Sequence, residues 1–243
     1  MAGRFGIHSD TVVTYFSYHS AHPGGRMPDA AQLAQGHWNE TPLFLTEQQR
    51  YSEYPWLYDV AEFREHAGDK VLEVGCGTGA DLLQFAKYGA IATGVDITDL
   101  HLDLARKRVG NMAAVLRADM RELPFENESF DYVYSHGVLH HADEPERAAS
   151  EILRVLRPGG RLNVHLYARW SESAFIYLLK HGVRWKQHVE NSTAPVHIDL
   201  YTATRFRKLF PGCDIRFSKH QCYKLRFAEP LLGWFIVGKG RKL

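Results

Sequence analysis

From Lys70 onward the chain alternates short apolar runs with stretches whose apolar residues recur at three- and four-residue spacing. KVLEV (70–74), AIATGVD (90–96), MAAVLRAD (112–119), FDYVYS (130–135) and RLNVHLY (161–167) read as strands, with helices over 79–88, 99–109 and 145–156 between them. The alternation predicts right-handed βαβ units, a mostly parallel sheet and a three-layer α/β fold. Beyond Tyr167 the pattern predicts helices over 171–181 and 202–209, then β-rich runs over 213–225 and 232–238 that can close the sheet as a hairpin. Upstream, Thr46 with Gln49 three residues on marks a helix start. Leu57, Val60, Ala61 and Phe63 continue that helix to Gly68, with Pro55 breaking or kinking it near the middle. The first 45 residues show no sustained period and read as a covering arm with one short helix around 29–35.

Composition changes this picture little. With 243 residues, 45% hydrophobic and 23% charged, the chain falls in the globular range, and its length suits one large domain with an added lid. Cys76, Cys213 and Cys222 form no C-x-x-C pair, so a disulfide framework and a structural zinc site are not expected. His136 can pair with His140 and Asp143, but no further ligand stands at a recognised spacing, and no metal is expected. No apolar run approaches the roughly 20 residues of a membrane helix, and the start lacks the apolar core of a secretion signal; the expected location is the cytoplasm. Charge adds an asymmetry. Residues 1–150 carry 12 Lys+Arg against 22 Asp+Glu, whereas 151–243 carry 17 against 6. The basic part can attract an anionic substrate, a nucleic acid or the acidic part of a second copy in a homodimer, or the two halves can simply neutralise each other. The near-zero net charge and the absence of an aromatic-basic repeat disfavour nucleic acid.

The chemistry concentrates in VLEVGCGTGADLLQFAKYGAIATGVD. A strand runs into Gly75-Cys76-Gly77-Thr78-Gly79 and then into a helix. Backbone there can approach a ligand where a Cβ would clash. Asp96 ends the next strand about 20 residues on, where a carboxylate can accept both hydroxyls of a ribose. Gly75, Gly77 and Ala80 also satisfy the fingerprint of NAD-binding proteins, and glycines used only for a tight turn remain a further reading.

The residues that follow resemble the class I S-adenosylmethionine-dependent methyltransferases, over about 70–170. Glu73-Val-Gly75-Cys76-Gly77-Thr-Gly79 resembles the family's first motif, Gly94-Val-Asp96 its second, and Ala118-Asp119-Met120 with Leu123-Pro124-Phe125 its adenine-binding segment. Ser129-Phe130-Asp131 then opens the fourth strand, His136-Gly-Val-Leu-His140-His141 follows it, and Leu153-Arg-Val-Leu-Arg157-Pro158-Gly159-Gly160 leads into the fifth. The branch resembled includes quinone and small-molecule methyltransferases. The resemblance implies a Rossmann-like, doubly wound sheet of seven strands with the last antiparallel. It also implies S-adenosylmethionine as cofactor, leaving as S-adenosylhomocysteine, with the cofactor set Glu73, Gly75, Cys76, Gly77, Gly79, Asp81, Asp96, Ile97, Asp119, Met120, Ser135 and Tyr51. Gly75 and Gly77 would face the methionine part, Glu73 and Asp81 the ammonium, Asp96 the ribose, and Asp119 with the Met120 backbone the adenine. Asp81 can equally serve the dipole of its helix.

Ligands of open α/β sheets bind beyond the carboxyl ends of the strands, which places His136, His140, His141 and Tyr167 beside the transferable methyl. Histidine can take a proton from a hydroxyl or ammonium acceptor, and His140 or His141 is the preferred base; each can instead cap a helix or pack as a neutral core imidazole. The expected organisation is an arm and helical cap (1–68), a cofactor core (69–170), an acceptor-side lid (171–210) and a C-terminal hairpin (211–243). Tyr15, Tyr18, Trp38, Tyr51, Tyr54 and Trp56 offer aromatic cover or core packing. Arg169, Arg184, Lys186 and Arg205 can pair with an anionic acceptor. The expected activity is methyl transfer from S-adenosylmethionine to an O or N atom of a small metabolite. An NAD-dependent oxidoreductase would need a catalytic set, and no Y-x-x-x-K follows the fourth strand. A methyltransferase-like binding protein without turnover is the remaining alternative.

Overall fold

A computed structural model describes residues 50–52, 54–184, 197–222 and 224–243. The core is one sheet in the order β3-β2-β1-β4-β5-β7-β6. Its strands are β1 (Lys70–Val74), β2 (Ile91–Asp96), β3 (Ala114–Arg117), β4 (Phe130–His136), β5 (Leu156–Tyr167), β6 (Cys213–His220) and β7 (Phe235–Lys242). The first five run parallel, and β7 is antiparallel to both β5 and β6. Strand order reverses at the β1–β4 junction, and this is where an open sheet leaves a crevice.

Helices α2 (Ala80–Lys87), α3 (Asp99–Val109) and α4 (Pro145–Val155) link the parallel strands. In α4, Pro145 occupies the first turn, where its missing N–H costs nothing, and Ala148, Ala149, Ile152 and Val155 form a buried stripe at helical spacing. That stripe packs with Leu72, Val74, Val133, Leu162, Val164 and Leu166 on one face of the sheet. On the other face Val71, Tyr132 and Tyr134 meet Leu82 and Phe85 of α2, Ala105 of α3, and Phe63. Each fully buried Leu or Phe contributes about 1.5–3 kcal/mol. Gly94 is required at the middle of β2, since a Cβ there would stand 2.6 Å from Leu82 Cδ2 and 2.9 Å from Cys76 Sγ.

Four expectations need correction. Beyond the expected break at Pro55, the helix expected over 46–68 is interrupted again: α1 (Leu57–Val60) is one turn, and a 3-10 turn (Phe63–Glu65) follows it. Pro55 lies in a turn before α1, and Glu62 adopts φ 61, which separates the two pieces. β5 starts at Leu156 because the register skips from Leu156 to Arg161 opposite Phe130 and Tyr132, so the Arg157–Gly160 turn bulges out of the strand. β6 stops at His220, followed by Gln221 at φ 69, and β7 starts at Phe235. Between them lie a 3-10 turn (Arg226–Ala228) and α7 (Glu229–Leu232), with Pro230 in its first turn. Helices α5 (Glu172–His181) and α6 (Ala203–Leu209) occupy the stretch between β5 and β6. The expected arm over 1–45 and its aromatic residues lie outside the described residues. Among the described residues no helix is long and apolar enough to cross a membrane.

Candidate functional site

The crevice at the carboxyl ends of β1, β2 and β4 is a cavity. Its walls include Arg50, Glu73, Gly75, Cys76, Gly77, Asp81, Asp96, Ile97, Asp119, Met120, His136 and His141. Gly75 (φ 75) and Gly77 (φ 51) make the turn out of β1, and both backbones favour glycine. A Cβ on Gly75 would overlap Val138, whereas one on Gly77 meets nothing within 4 Å and would project into open space.

Three carboxylates, two of them buried, shape the electrostatics. The Asp96 Oδ2 accepts from the Gly77 N–H (2.9 Å), and Oδ1 accepts from the Thr98 N–H (2.9 Å) and faces His101 Nδ1 (3.3 Å). Burial alone would raise this carboxyl, but the His101 and backbone hydrogen bonds outweigh it and hold Asp96 below the ordinary range. Asp96 therefore ties the glycine loop to the start of α3. Asp81 is fully buried and receives Arg50 Nε at 2.7 Å and Nη2 at 2.5 Å. The hydroxyls of Tyr51 and Tyr134 donate to it as well, each at 3.0 Å. Burial opposes its charge, yet the Arg50 guanidinium and these donors keep it ionised. Glu73 has the opposite fate: burial, then the Asp81 charge, pushes its carboxyl well above the usual range. Its Oε2 is buried with no hydrogen-bond partner among the described residues.

Arg50 escaped the sequence reading, because nothing in a single chain links it to Asp81 31 residues away. Asp119 lines the cavity with both oxygens engaged by Arg121, at 2.6–3.1 Å. Five of the expected site residues stand outside the walls. Gly79 caps α2, and Tyr51 sits behind Asp81. The buried Ser135 hydroxyl donates to the Val74 carbonyl and joins β4 to β1. His140 is fully buried and stacks on Tyr167 with ring centroids 3.6 Å apart, and Tyr167 stacks in turn on Trp234.

His136 and His141 do face the cavity. Burial, then the Arg50 charge, holds His136 well below the usual histidine range. Burial brings His141 down to about 4. Both are neutral near pH 7 and can accept a proton. His141 Nδ1 donates to the His197 carbonyl (2.8 Å), and the Asp199 N–H donates to the His140 carbonyl (2.9 Å). These two bonds fix the segment beginning at 197 against the turn after β4. A second cavity, lined by Arg169, Trp170, Phe175, Leu178, Asp199 and Arg205 among others, opens along α5. Its Arg205 is held by Asp199 at 2.6 Å, and Lys186 lies outside the described residues.

The residues fit a nucleoside cofactor with an amino acid tail. An orphaned carboxylate oxygen awaits a cation, a glycine turn leaves room where a side chain would stand, and an ordered carboxylate sits beyond it.

Residues 72–164 match the sequence profile of a family described as a methyltransferase domain. A demethylmenaquinone methyltransferase of Clavibacter sepedonicus is 36% identical over 98 residues, which is 40% of either chain. A 27-O-demethylrifamycin SV methyltransferase of Amycolatopsis mediterranei is 35% identical over 102 residues, covering 40% of this chain and 38% of that one. The match thus spans about two fifths of the length of these relatives. An S-adenosylmethionine-dependent methyltransferase of known structure from Mesorhizobium loti superposes with a TM-score of 0.61 at 18% identity, covering 78% of this chain and 97% of that one. The segment 72–164 is therefore similar to a methyltransferase domain, and the fold is the one seen in S-adenosylmethionine-dependent methyltransferases.

Proposed function

We propose that this protein is an S-adenosylmethionine-dependent methyltransferase that methylates an O or N atom of a small, anionic metabolite. The observation that carries the reading is the unpartnered Glu73 Oε2 in a cavity that also holds the Gly75–Gly77 turn and the Asp96 carboxylate. Glu73 would receive the cofactor ammonium, and that positive charge would offset the burial that otherwise keeps the carboxyl protonated. Arg50 would face the cofactor carboxylate from its seat on Asp81, Asp96 would accept the ribose hydroxyls, and Asp119 with Met120 would border the adenine. When bound, the cofactor supplies a methyl group on a positively charged sulfur.

The chain's own residues then hold an acceptor in line at about 3–3.5 Å, where most of the rate is gained, and His136 or His141 takes the acceptor's proton. His140 does not line the cavity, so of the two bases the sequence favoured only His141 stays, and His136 joins it. The acceptor side would be residues 169–184 and 197–210, which are bonded to the His140–His141 turn through His197 and Asp199 and present Trp170, Phe175 and Leu178. Arg169 is its available anion partner. The relatives named for demethylmenaquinone and 27-O-demethylrifamycin SV support a small-molecule acceptor.

Incubation with methyl-labelled S-adenosylmethionine and a panel of phenolic and carboxylated acceptors should give labelled product and S-adenosylhomocysteine in equal amounts. Binding of the cofactor without transfer to any member, when the same panel is methylated by other enzymes, would favour the non-catalytic reading.

A further inference from the structure

Two histidines and an asparagine at the cavity wall are joined in a chain whose hydrogen bonds admit one arrangement of protons. Asn163 and His165 alternate along β5, so both side chains point to one face of the sheet. His165 is the register partner of His136 on β4. The Asn163 Nδ2 lies 2.8 Å from the Val60 carbonyl, Asn163 Oδ1 lies 2.9 Å from His165 Nε2, and His165 Nδ1 lies 2.8 Å from His136 Nδ1. Asn163 and His165 are fully buried.

The chain has one consistent set of protons. A backbone carbonyl only accepts, so the amide nitrogen of Asn163 faces Val60 and its oxygen faces His165. That oxygen also only accepts, so His165 carries its proton on Nε2. Burial, then the neighbouring His136, keeps His165 uncharged, which leaves Nδ1 as a lone pair. His136 must then donate from Nδ1, and its remaining nitrogen, Nε2, is the unprotonated one. His136 lines the cavity, and Nε2 makes no hydrogen bond among the described residues. The ring plane is fixed by Phe235, stacked at 4.8 Å, with Tyr54 and Trp56 at 5.4 and 5.8 Å.

We infer that Asn163 and His165 are positioning residues that lock His136 as its Nδ1–H tautomer and so present an Nε2 lone pair to the methyl acceptor. The inference rests on the methyltransferase reading of the cavity only for what the lone pair is used on. As the acceptor's heteroatom would bond the methyl carbon, the carbon–sulfur bond would break with its electron pair leaving on sulfur as S-adenosylhomocysteine, and the heteroatom's proton would pass to Nε2. His136 becomes an imidazolium, and its Nδ1–H bond to His165 becomes charge-assisted and stronger. Asn163 ends the chain with an amide that cannot carry a proton onward, so the proton leaves from Nε2 back to the cavity. Arg50, Tyr54, His140 and His165 are titratable groups around His136, and the Arg50 charge returns that proton to solvent more readily.

The test begins with the ligand-free protein labelled with 15N-histidine at neutral pH. His136 should show a protonated Nδ1 and a bare Nε2, and His165 the reverse; a protonated Nε2 on His136 overturns the inference. In His165→Phe and Asn163→Leu, His136 should lose its single tautomer and kcat should fall by about 10-fold or more, with the KM for S-adenosylmethionine unchanged. His165→Gln, whose amide oxygen can still accept from Nδ1, should restore part of kcat. A fall in stability with tautomer and kcat unchanged would leave these residues purely structural. Because the tautomer is read without cofactor, a wild-type chain that shows it yet never binds S-adenosylmethionine would defeat the methyltransferase reading and leave the chain of protons intact.

Discussion

Asp96→Ala should weaken S-adenosylmethionine binding by about 10²–10⁴-fold. Two hydrogen bonds from ribose hydroxyls to a carboxylate are worth about 1.5–3 kcal/mol each, and each 1.4 kcal/mol is a factor of ten. The loss is not confined to the ligand, since the same carboxylate accepts the Gly77 and Thr98 N–H groups. Alanine leaves both donors without their partner and should also cost about 1–3 kcal/mol of stability. Asp96→Asn keeps one oxygen acceptor and should fall between. Calorimetric titration of each variant, with denaturant unfolding alongside, separates the two effects. Unchanged affinity in Asp96→Ala would remove the residue from the ribose role.

The second large effect is on stability. Arg50→Ala strips the guanidinium from a carboxylate that has no solvent exposure, leaving only the Tyr51 and Tyr134 hydroxyls. Breaking one side of a buried pair costs about 3–5 kcal/mol. The two tyrosines argue for the lower end, near 3 kcal/mol, which for a chain of this size is a drop in Tm of roughly 6–12 °C. The Asp81 carboxyl is held below its ordinary 3.8 in the folded protein. Its pairing therefore stabilises the fold above that pH and is lost as pH falls through the depressed value. The gap between wild type and Arg50→Ala should be full at neutral pH and close below about pH 4. Asp81→Asn in the Arg50→Ala background should recover part of the loss, and a double variant no better than the single would show that the charge is not the cause.

The parallel half of the sheet was legible because periodicity and punctuation agreed there: β1 and α3 start and stop where the pattern says. The edges were harder. Nothing in apolar content distinguishes 221–225 and 232–234 from strand, yet a positive φ at Gln221 and a helical turn at Glu229–Leu232 after the expected Pro-bearing turn end one strand and delay the next. Thr46 and Gln49 promise a helix that Pro55 and Glu62 then divide.

In the site, residues local in sequence were readable: the glycine turn, Asp96 and the Asp119–Met120 pair all reach one cavity. Features made by folding were not. Arg50 meets Asp81 only because α1 and the residues before it lie over α2, and His136 meets His165 only through the β4–β5 register. The one available signal was Asn163 and His165 themselves, two polar side chains in the otherwise apolar run 162–166. His140 illustrates the converse, a histidine in a motif whose ring is spent on packing against Tyr167.

The most direct measurement is calorimetric titration of the purified chain with S-adenosylmethionine, S-adenosylhomocysteine and NAD. Saturable binding of the two adenosyl ligands, lost in Asp96→Ala, with none of NAD, is the expected result. Binding of NAD alone would reassign the glycine turn and contradict the assignment of this cavity to a methyl donor.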